Sequence, residues 1–234
     1  MKIKIKINTL GKKYLSRMIP DSTRLRYLSF LPRLEKWRRK YEKHYHKFKS
    51  RNDMYKYLNN DILRNDRIDY LEFGVYKGTT IMNWLEINSC KDSRFYGFDT
   101  FTGLPEPWES FIDKMPVGHF DTKGIIPSIK DLRVSFIKGL FQDTLPVFLK
   151  TFVNRSRIVI HNDADLYSST LFVLTKLNDI ITTDTIIIFD EFSSILDEFR
   201  ALEDWCSSYI RDYEVIGVVV SSIDYYSQIA IRIK

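Results

Sequence analysis

Residues 68–80 read I-D-Y-L-E-F-G-V-Y-K-G-T-T, an apolar run that passes through two glycines into a helical pattern. A short run rich in Ile, Tyr and Phe is typical of a buried strand. Gly74 and Gly78 predict a tight turn at the start of a helix, where backbone N–H groups bind anionic or polar ligands. The same glycines also suit a turn that only joins a strand to a helix. The stretch therefore predicts a strand, a turn and a helix, with ligand binding at the turn as one of two interpretations.

The alternation of strands and helices continues to the end of the chain. Six more β-branched or aromatic runs predict strands at residues 94–99, 134–139, 157–163, 185–190, 213–220 and 228–233. Amphipathic patterns predict helices at residues 78–88, 142–151, 167–181 and 195–210. This order is typical of an α/β fold with a doubly wound, mostly parallel sheet, here of seven strands. The last two strands are too close in sequence for a crossover helix, so we predict an antiparallel C-terminal hairpin.

Residues 100–131 form the longest stretch without a periodic pattern, and they contain four prolines. Loops of this length are uncommon unless they are functional, so we predict a lid or a substrate-specificity insert here. The chain contains no internal repeat and no low-complexity segment.

The charge of the chain is unevenly distributed. Residues 1–51 carry 17 Lys and Arg against 3 Asp and Glu, whereas residues 52–234 carry 19 against 27. Leucines at helical spacing lead up to Trp37, so we predict a basic, helical N-terminal arm at 1–51 and one domain at 52–234. The arm either caps the domain with a solvated basic face or associates peripherally with an anionic membrane or polymer. We expect no nucleic-acid partner, since the domain has no base-stacking motif.

The composition excludes several classes of protein. The apolar runs extend over about five residues, whereas a bilayer-spanning helix needs about 20. The amino terminus is basic but has no apolar core and no cleavage site of a signal peptide. Cys90 and Cys206 are too few for a disulfide scaffold and lack metal-ligand spacing. We therefore expect a cytoplasmic protein.

Asp99 ends the second predicted strand, 25 residues after Gly74. A carboxylate at this separation accepts hydrogen bonds from the ribose hydroxyls of adenosine-containing cofactors. The Gly-x-x-x-Gly spacing lacks the pattern of a dinucleotide site, and no Lys-Ser or Lys-Thr follows Gly78 as in a phosphate-binding loop. The pattern therefore disfavours NAD and ATP. With Glu72 just before the turn, it favours a cofactor that carries an amino-acid group and a sulfonium.

Acidic side chains follow two further strands. Asp163 and Asp165 end one strand, and Asp190 and Glu191 end another. Clustered carboxylates need a cation, and oxygen ligands in this number favour Mg²⁺ or Ca²⁺ over zinc. We therefore predict a metal site made by Asp163, Asp190 and Glu191. Alternatively, Asp165 caps the next helix or lies in its first turn, and Glu191 is only a surface acid at the end of a strand. His161 is expected to face the core.

Five stretches together resemble the macrocin O-methyltransferase family of class I S-adenosylmethionine-dependent sugar O-methyltransferases. They are Y-L-E-F-G-V-Y-K-G-T-T (70–80), F-Y-G-F-D-T-F-T-G-L-P-E-P (95–107), F-I-K-G-L-F-Q-D-T-L-P (136–146), I-H-N-D-A-D-L-Y-S-S-T (160–170) and I-I-I-F-D-E-F (186–192). Their order and spacing also match. The resemblance implies a Rossmann-like methyltransferase domain, S-adenosyl-L-methionine as cofactor, Mg²⁺ as the metal and a saccharide acceptor, either a small molecule or linked to a polymer.

The resemblance also implies roles for individual residues. Asp165 would be the catalytic base, and Asp163, Asp190 and Glu191 would hold Mg²⁺. The cofactor would be bound by Glu72, Gly74, Val75, Tyr76, Gly78, Thr79, Asp99, Phe101, Gln142 and Asp143. The family often has Asp-Asp where this chain has Asp190-Glu191.

Two other functions are consistent with the sequence. One is a nucleotide-binding hydrolase or kinase, because I-I-I-F-D-E is similar to the acidic strand end of an ATPase, although the phosphate-binding lysine motif is missing. The other is a catalytically silent methyltransferase-like module that docks on anionic surfaces through the basic arm. A homo-oligomer is also consistent with the sequence.

Overall fold

The computed structural model describes residues 9–110, 114–220 and 226–234. The described residues form seven α-helices: α1 (Thr9–Met18), α2 (Thr23–Tyr41), α3 (Arg51–Tyr57), α4 (Thr79–Ile87), α5 (Phe141–Thr151), α6 (Tyr167–Leu177) and α7 (Glu198–Tyr209). They also form ten strands: β1 (His46–Phe48), β2 (Ile68–Phe73), β3 (Arg94–Asp99), β4 (Trp108–Glu109), β5 (Lys114–Met115), β6 (Val134–Lys138), β7 (Arg157–Asn162), β8 (Ile186–Phe189), β9 (Tyr213–Val219) and β10 (Gln228–Ile233). A π-helical turn, Leu58–Ile62, continues α3.

Eight of the strands form one sheet in the order β1-β9-β10-β8-β7-β2-β3-β6. Strands β8, β7, β2, β3 and β6 are parallel neighbours, and β10 is antiparallel to both β8 and β9. The predicted doubly wound, mostly parallel fold with an antiparallel C-terminal hairpin is therefore confirmed. The connection of that hairpin at 221–225 lies outside the described residues.

The sheet has one strand more than the sequence predicts. His46–Phe48 pairs in parallel with β9 and so extends the edge that the C-terminal hairpin was expected to form. This strand is three residues long and mostly exposed, so it carries no alternating apolar pattern. Its extended conformation depends on pairing with β9, a contact between distant parts of the chain that local sequence does not encode.

Helices cover both faces of the sheet. Strand β2 is buried along its whole length, as expected for a central strand of a parallel sheet. Tyr70 faces the side covered by α3 and α4, where it packs with Trp84. Phe73 faces the side covered by α2, α5, α6 and α7, where it stacks on Phe98. The sheet therefore lies between two helical layers, and its polar site is found at the strand ends.

Two helices fall within the range predicted as a basic arm. Trp37 of α2 is buried, donates a hydrogen bond to the Tyr213 hydroxyl at 2.9 Å, and packs against Phe192. Tyr41 stacks on Tyr213. The end of α2 is thus fixed to the domain by aromatic packing. Residues 1–8 of the predicted arm lie outside the described residues, and the division at residue 51 stays a prediction.

The long segment after β3 folds over the strand ends. Strands β4 and β5 pair antiparallel within it, and Thr102 bridges to Asp121. The Trp108 indole donates a hydrogen bond to Asp197 at 3.0 Å, which ties the segment to the loop before α7. Residues 111–113 of the predicted insert lie outside the described residues. The segment forms one wall of a cleft at the strand ends.

Candidate active site

The turn after β2 closes the carboxyl end of the sheet. Gly74 has a φ of +92°, and a Cβ built on it would lie 1.7 Å from the carbonyl oxygen of Asp163. Its N–H donates to the Phe98 carbonyl at 3.0 Å, while the Asp163 N–H donates to the Phe73 carbonyl at 2.8 Å. Only glycine fits this position, since both the backbone angle and the neighbouring chain exclude a side chain. The turn thereby brings the ends of β2, β3 and β7 into contact.

Asp99 has a structural part in this turn. One carboxylate oxygen accepts the N–H groups of Val75 and Tyr76 at 2.8 and 2.7 Å. The other oxygen accepts the Phe101 N–H at 2.7 Å. A carboxylate has about four acceptor positions, so a further hydrogen bond from a ribose hydroxyl fits. Asp99 therefore fixes the shape of the turn, and its predicted contact with ribose stays a prediction.

A cleft of about 270 Å³ lies beside the turn. Five predicted cofactor residues line it: Gly74, Val75, Tyr76, Asp99 and Gln142. All four predicted acids line it as well: Asp163, Asp165, Asp190 and Glu191. Leu104, Pro105 and Phe120 of the predicted insert form another part of the wall. The remaining predicted cofactor residues are not among the lining residues: Glu72, Gly78, Thr79, Phe101 and Asp143.

Gly78 and Glu72 lie just behind the cleft wall. Gly78, with a φ of +75°, is the N-cap residue of α4 and is covered by Pro127. Glu72 is buried, and the Tyr70 hydroxyl donates to its carboxylate at 2.6 Å. Burial raises the pKa of Glu72 well above its ordinary value. In this structure Gly78 therefore begins α4, and Glu72 is held within the sheet by Tyr70.

A buried polar chain links Glu72 to the acidic end of β8. The Tyr70 hydroxyl lies 2.8 Å from His161 Nδ1, and His161 Nε2 lies 3.3 Å from Asp190 Oδ1. His161 is fully buried, as the sequence predicts for a core-facing residue. The Gln228 amide also donates to Asp190 Oδ1. Residues on β7 and β10, the two strands that flank β8, thus hold the Asp190 carboxylate in place.

Asp190 is paired with a cation of the protein itself. Arg51 Nη2, at the start of α3, lies 2.8 Å from Asp190 Oδ2 and 3.9 Å from Glu191 Oε1. Burial acts to raise the pKa of Asp190, but the hydrogen bonds and charges of His161, Arg51 and Gln228 together lower it. Both carboxylate oxygens of Asp190 therefore already have donors.

These contacts bear on the predicted magnesium site. Among the described residues no group of three or more His, Cys, Asp or Glu side chains is arranged to hold a metal ion. The guanidinium of Arg51 lies beside two of the predicted ligands, with Nη2 2.8 Å from Asp190 Oδ2 and 3.9 Å from Glu191 Oε1. A divalent ion bound to the same two carboxylates would be repelled by this guanidinium. As placed in this structure, Asp163, Asp190 and Glu191 do not fit a magnesium ion.

Asp165 differs from the other acids in its surroundings. It is partly buried on the cleft wall and has a φ of +57°. Non-glycine residues adopt this backbone conformation at a cost of about 1–3 kcal/mol, and such residues are often found at functional sites. Burial, followed by the charges of Asp190, Asp197 and Asp99, raises the pKa of Asp165 to about 7. Asp165 does not cap the next helix, because Leu166 is the N-cap residue of α6. A carboxyl group with this pKa suits proton transfer near neutral pH.

Two residues of the site are absent from the sequence-based prediction. Glu198 is buried at the start of α7, where it accepts hydrogen bonds from the Asn162 amide at 2.9 Å and the Glu191 N–H at 2.8 Å. Its position directly before the apolar stripe of α7 is the one local signal for it. Arg51 has no such signal, because it ends a basic segment whose charges predict a solvated surface.

Several solved structures resemble this fold. The O-methyltransferase NovP aligns with a TM-score of 0.58 at 20% sequence identity, over 78% of this chain and 78% of that chain. The calicheamicin methyltransferase CalS11 aligns with a TM-score of 0.56 at 19% identity, over 97% and 94% of the two chains. The O-methyltransferase TomG from Streptomyces achromogenes, in complex with S-adenosylmethionine, aligns with a TM-score of 0.52 at 13% identity, over 79% of each chain. Because all identities are low, these likenesses show the fold alone. No curated protein matches the chain.

The sequence family gives a more specific result. Residues 49–227 match the family Macrocin-O-methyltransferase (TylF), which covers well over half of the chain. This range includes the glycine turn, Asp99, the four acids and Arg51, and it confirms the resemblance of the five motifs. The chain therefore belongs to the macrocin O-methyltransferase family of S-adenosylmethionine-dependent O-methyltransferases.

Proposed function

We propose that the protein transfers the methyl group of S-adenosylmethionine to a hydroxyl group of a sugar, either free or attached to a natural product or polysaccharide. The proposal rests on the cleft, because the Gly74 turn, Asp99 and Asp165 line one cavity and the pKa of Asp165 is raised to about 7. CalS11, one of the structures that share the fold, is described as a TDP-rhamnose 3'-O-methyltransferase. A sugar hydroxyl is therefore the acceptor class to test first.

The residues at the turn fit the cofactor. Gly74 lets the turn pass directly against the Asp163 backbone, where no side chain fits, and Asp99 has acceptor positions left for a ribose hydroxyl. Gln142, which lines the cleft near the start of α5, adds an amide beside them. When bound, the cofactor supplies an electrophilic methyl group on a sulfonium sulfur. The turn would hold its amino-acid and ribose ends in the same cleft as the acids.

Asp165 is the residue proposed to act on the acceptor. In the proposed reaction the acceptor oxygen would form a bond to the methyl carbon while the carbon–sulfur bond breaks, and the electron pair of that bond would stay on sulfur. The hydroxyl proton would pass to the Asp165 carboxylate, which is present in its ionised form above pH 7. In this proposal Arg51, which pairs with Asp190, takes the place of the predicted Mg²⁺.

The decisive experiment measures methyl transfer by the purified full chain from labelled S-adenosylmethionine. Nucleotide-linked sugars, free sugars and polysaccharide extracts serve as acceptors, and the Asp165→Asn variant serves as the matched control. We expect label in at least one saccharide with the wild type, and a loss of about 10²-fold or more in rate with Asp165→Asn. Cofactor affinity by calorimetry should be equal in the two proteins.

The same calorimetry separates the alternative functions. Binding of S-adenosylmethionine with no binding of Mg-ATP is expected, and the reverse result would instead support a nucleotide hydrolase or kinase. Cofactor binding without transfer to any saccharide would favour a silent methyltransferase-like module. Failure to bind S-adenosylmethionine would overturn the proposal.

We further propose that the basic arm associates with an anionic membrane surface. Helix α1 has Lys12, Lys13 and Arg17 next to exposed apolar side chains: Tyr14, Leu15, Met18 and Ile19. Early in α2, Leu25, Leu28 and Leu31 are exposed as well. Apolar side chains beside Lys and Arg fit an anionic lipid surface, where each basic residue contributes about 1 kcal/mol.

The membrane-binding role of the arm also concerns where the protein is located in the cell. No helix of the described residues is both long and apolar enough to cross a membrane. We propose a cytoplasmic location with peripheral contact through the arm. The homo-oligomer and the absence of a nucleic-acid partner stay predictions.

A further inference from the structure

The cleft concentrates negative charge that needs a counterion. Asp163, Asp165, Asp190 and Glu191 line one cavity. Burial, followed by the charges of Asp190 and Asp165, raises the pKa of Asp163 well above its ordinary value. Buried carboxylates that face one another are strongly destabilising unless a cation lies among them. In this protein the cation that meets the acids is a side chain.

Arg51, the first residue of α3, contacts the acids that follow β8. Its Nη2 atom lies 2.8 Å from Asp190 and 3.9 Å from Glu191, and Arg51 itself lines the cavity. Burial acts to lower the pKa of Arg51, but the charges of Asp190, Asp163 and Glu191 outweigh it and raise the pKa. The Asp190 side chain is 3% exposed, whereas that of Arg51 is 46% exposed. The guanidinium therefore spans from the buried acid to the open cleft.

The ion pair is held by surrounding structure. Arg51 is the first residue of α3, whose N-cap residue Ser50 accepts the Asp53 N–H at 3.1 Å. Tyr55, one turn later on the same helix, accepts a hydrogen bond at 2.8 Å from the Gln228 amide, which also donates to Asp190. Helix α3 thus approaches Asp190 through two of its side chains.

We propose that Arg51 is the resident cation of the active site, which binds the acceptor hydroxyl oxygen in place of a divalent metal ion. This inference rests on the proposed function. A guanidinium has five N–H donors in a fixed plane, and its pairs with Asp190 and Glu191 use one nitrogen. The other donors provide directional hydrogen bonds to one or two sugar oxygens. They stabilise negative charge on the acceptor oxygen as its proton leaves toward Asp165.

The proposal is tested first by metal binding, which does not depend on activity. Mn²⁺, used as a spectroscopic probe, is titrated into the cofactor-free full chain and into Arg51→Met, Arg51→Lys and Arg39→Met. Arg39 is an exposed arginine of α2 that pairs with Glu35, so its variant controls for loss of any surface charge. We expect Arg51→Met to bind Mn²⁺ at least tenfold more tightly than the wild type, Arg51→Lys and Arg39→Met. Equal binding by the wild type and Arg51→Met would overturn the proposal.

The second readout is methyl transfer in the presence of a strong chelator. We expect the wild-type rate to change less than twofold after exhaustive chelation, and Arg51→Met to lose at least 100-fold in turnover. Loss of wild-type activity on chelation, restored by Mg²⁺, would overturn the proposal even if Arg51→Met fails to fold. If no acceptor is methylated at all, the proposed function fails, while the Mn²⁺ titration still decides the place of Arg51.

Discussion

The Gly74→Ala substitution tests the geometry on which the cleft depends. The new methyl group would lie 1.7 Å from the Asp163 carbonyl oxygen, whereas real contacts do not fall below 3.0 Å, so the two strand ends have to separate by about 1.3 Å. The positive φ adds about 1–2 kcal/mol of backbone strain. The separation stretches the hydrogen bonds that join β2 to β3 and β7, each worth about 0.5–1.5 kcal/mol. We therefore expect a loss of about 2–5 kcal/mol in the free energy of unfolding.

Gly118→Ala is the matched control for this substitution. Gly118 has a similar φ of +78°, but its nearest neighbour is an oxygen of Thr102 at 4.0 Å. It should lose only the strain of the backbone angle, about 1–2 kcal/mol.

The assay is urea unfolding followed by tryptophan fluorescence, with calorimetric binding of S-adenosylhomocysteine to the folded variants. We expect Gly74→Ala to be less stable than Gly118→Ala and to bind the ligand at least tenfold more weakly than the wild type, while Gly118→Ala keeps wild-type affinity. Equal stability losses in the two variants, or unchanged affinity in Gly74→Ala, would refute the reasoning.

Four further predictions concern the site and the arm. Asp99→Asn should weaken S-adenosylhomocysteine binding at least tenfold, because an amide has a single acceptor oxygen to serve both the turn and the ribose. Unchanged affinity in calorimetry would contradict the predicted contact of Asp99 with ribose. Because the folded-state pKa of Asp165 is raised to about 7, the transfer rate should rise with pH through about 7 and then level off. The same raised pKa means that ionising Asp165 lowers wild-type stability as pH increases from about 4 to about 7, so Asp165→Asn should gain stability relative to the wild type over this range; a constant difference between the two proteins would count against it. Removing residues 1–20 should reduce co-sedimentation with phosphatidylserine vesicles at low salt, with neutral vesicles as control, and equal sedimentation of both chains would exclude this role of α1.

The truncation in the last prediction stops before α2 for a structural reason. Deleting residues 1–51 would also remove Trp37 and Tyr41, which pack on the domain, and β1, which extends the sheet. It would remove Arg51 as well. The structure therefore limits which part of the predicted arm can be tested as a separate segment.

The strands and helices from β2 onward could be predicted from the sequence. Their apolar residues repeat with the period of a strand or of a helix, and this period depends only on the residues of the element itself. The order of strand, glycine turn and helix also located the site, because the carboxyl ends of parallel strands meet at one edge of the sheet. For the same reason the four acids were expected together, and the structure places them in one cleft.

Three features depend on the tertiary structure. Strand β1 is extended because β9 offers it an edge, and Asp99 fixes the glycine turn because the turn presents N–H groups to it. Arg51 appears in the sequence as one more charge of a basic segment, yet in the fold it meets Asp190. Hydrogen bonds and ion pairs between residues distant in sequence depend on distances that only the folded chain sets. The hydrophobic periodicity of a strand or helix, in contrast, depends only on the residues of that element. The sequence thus determined the elements and the place of the site, and the tertiary structure decided which cation the acids face.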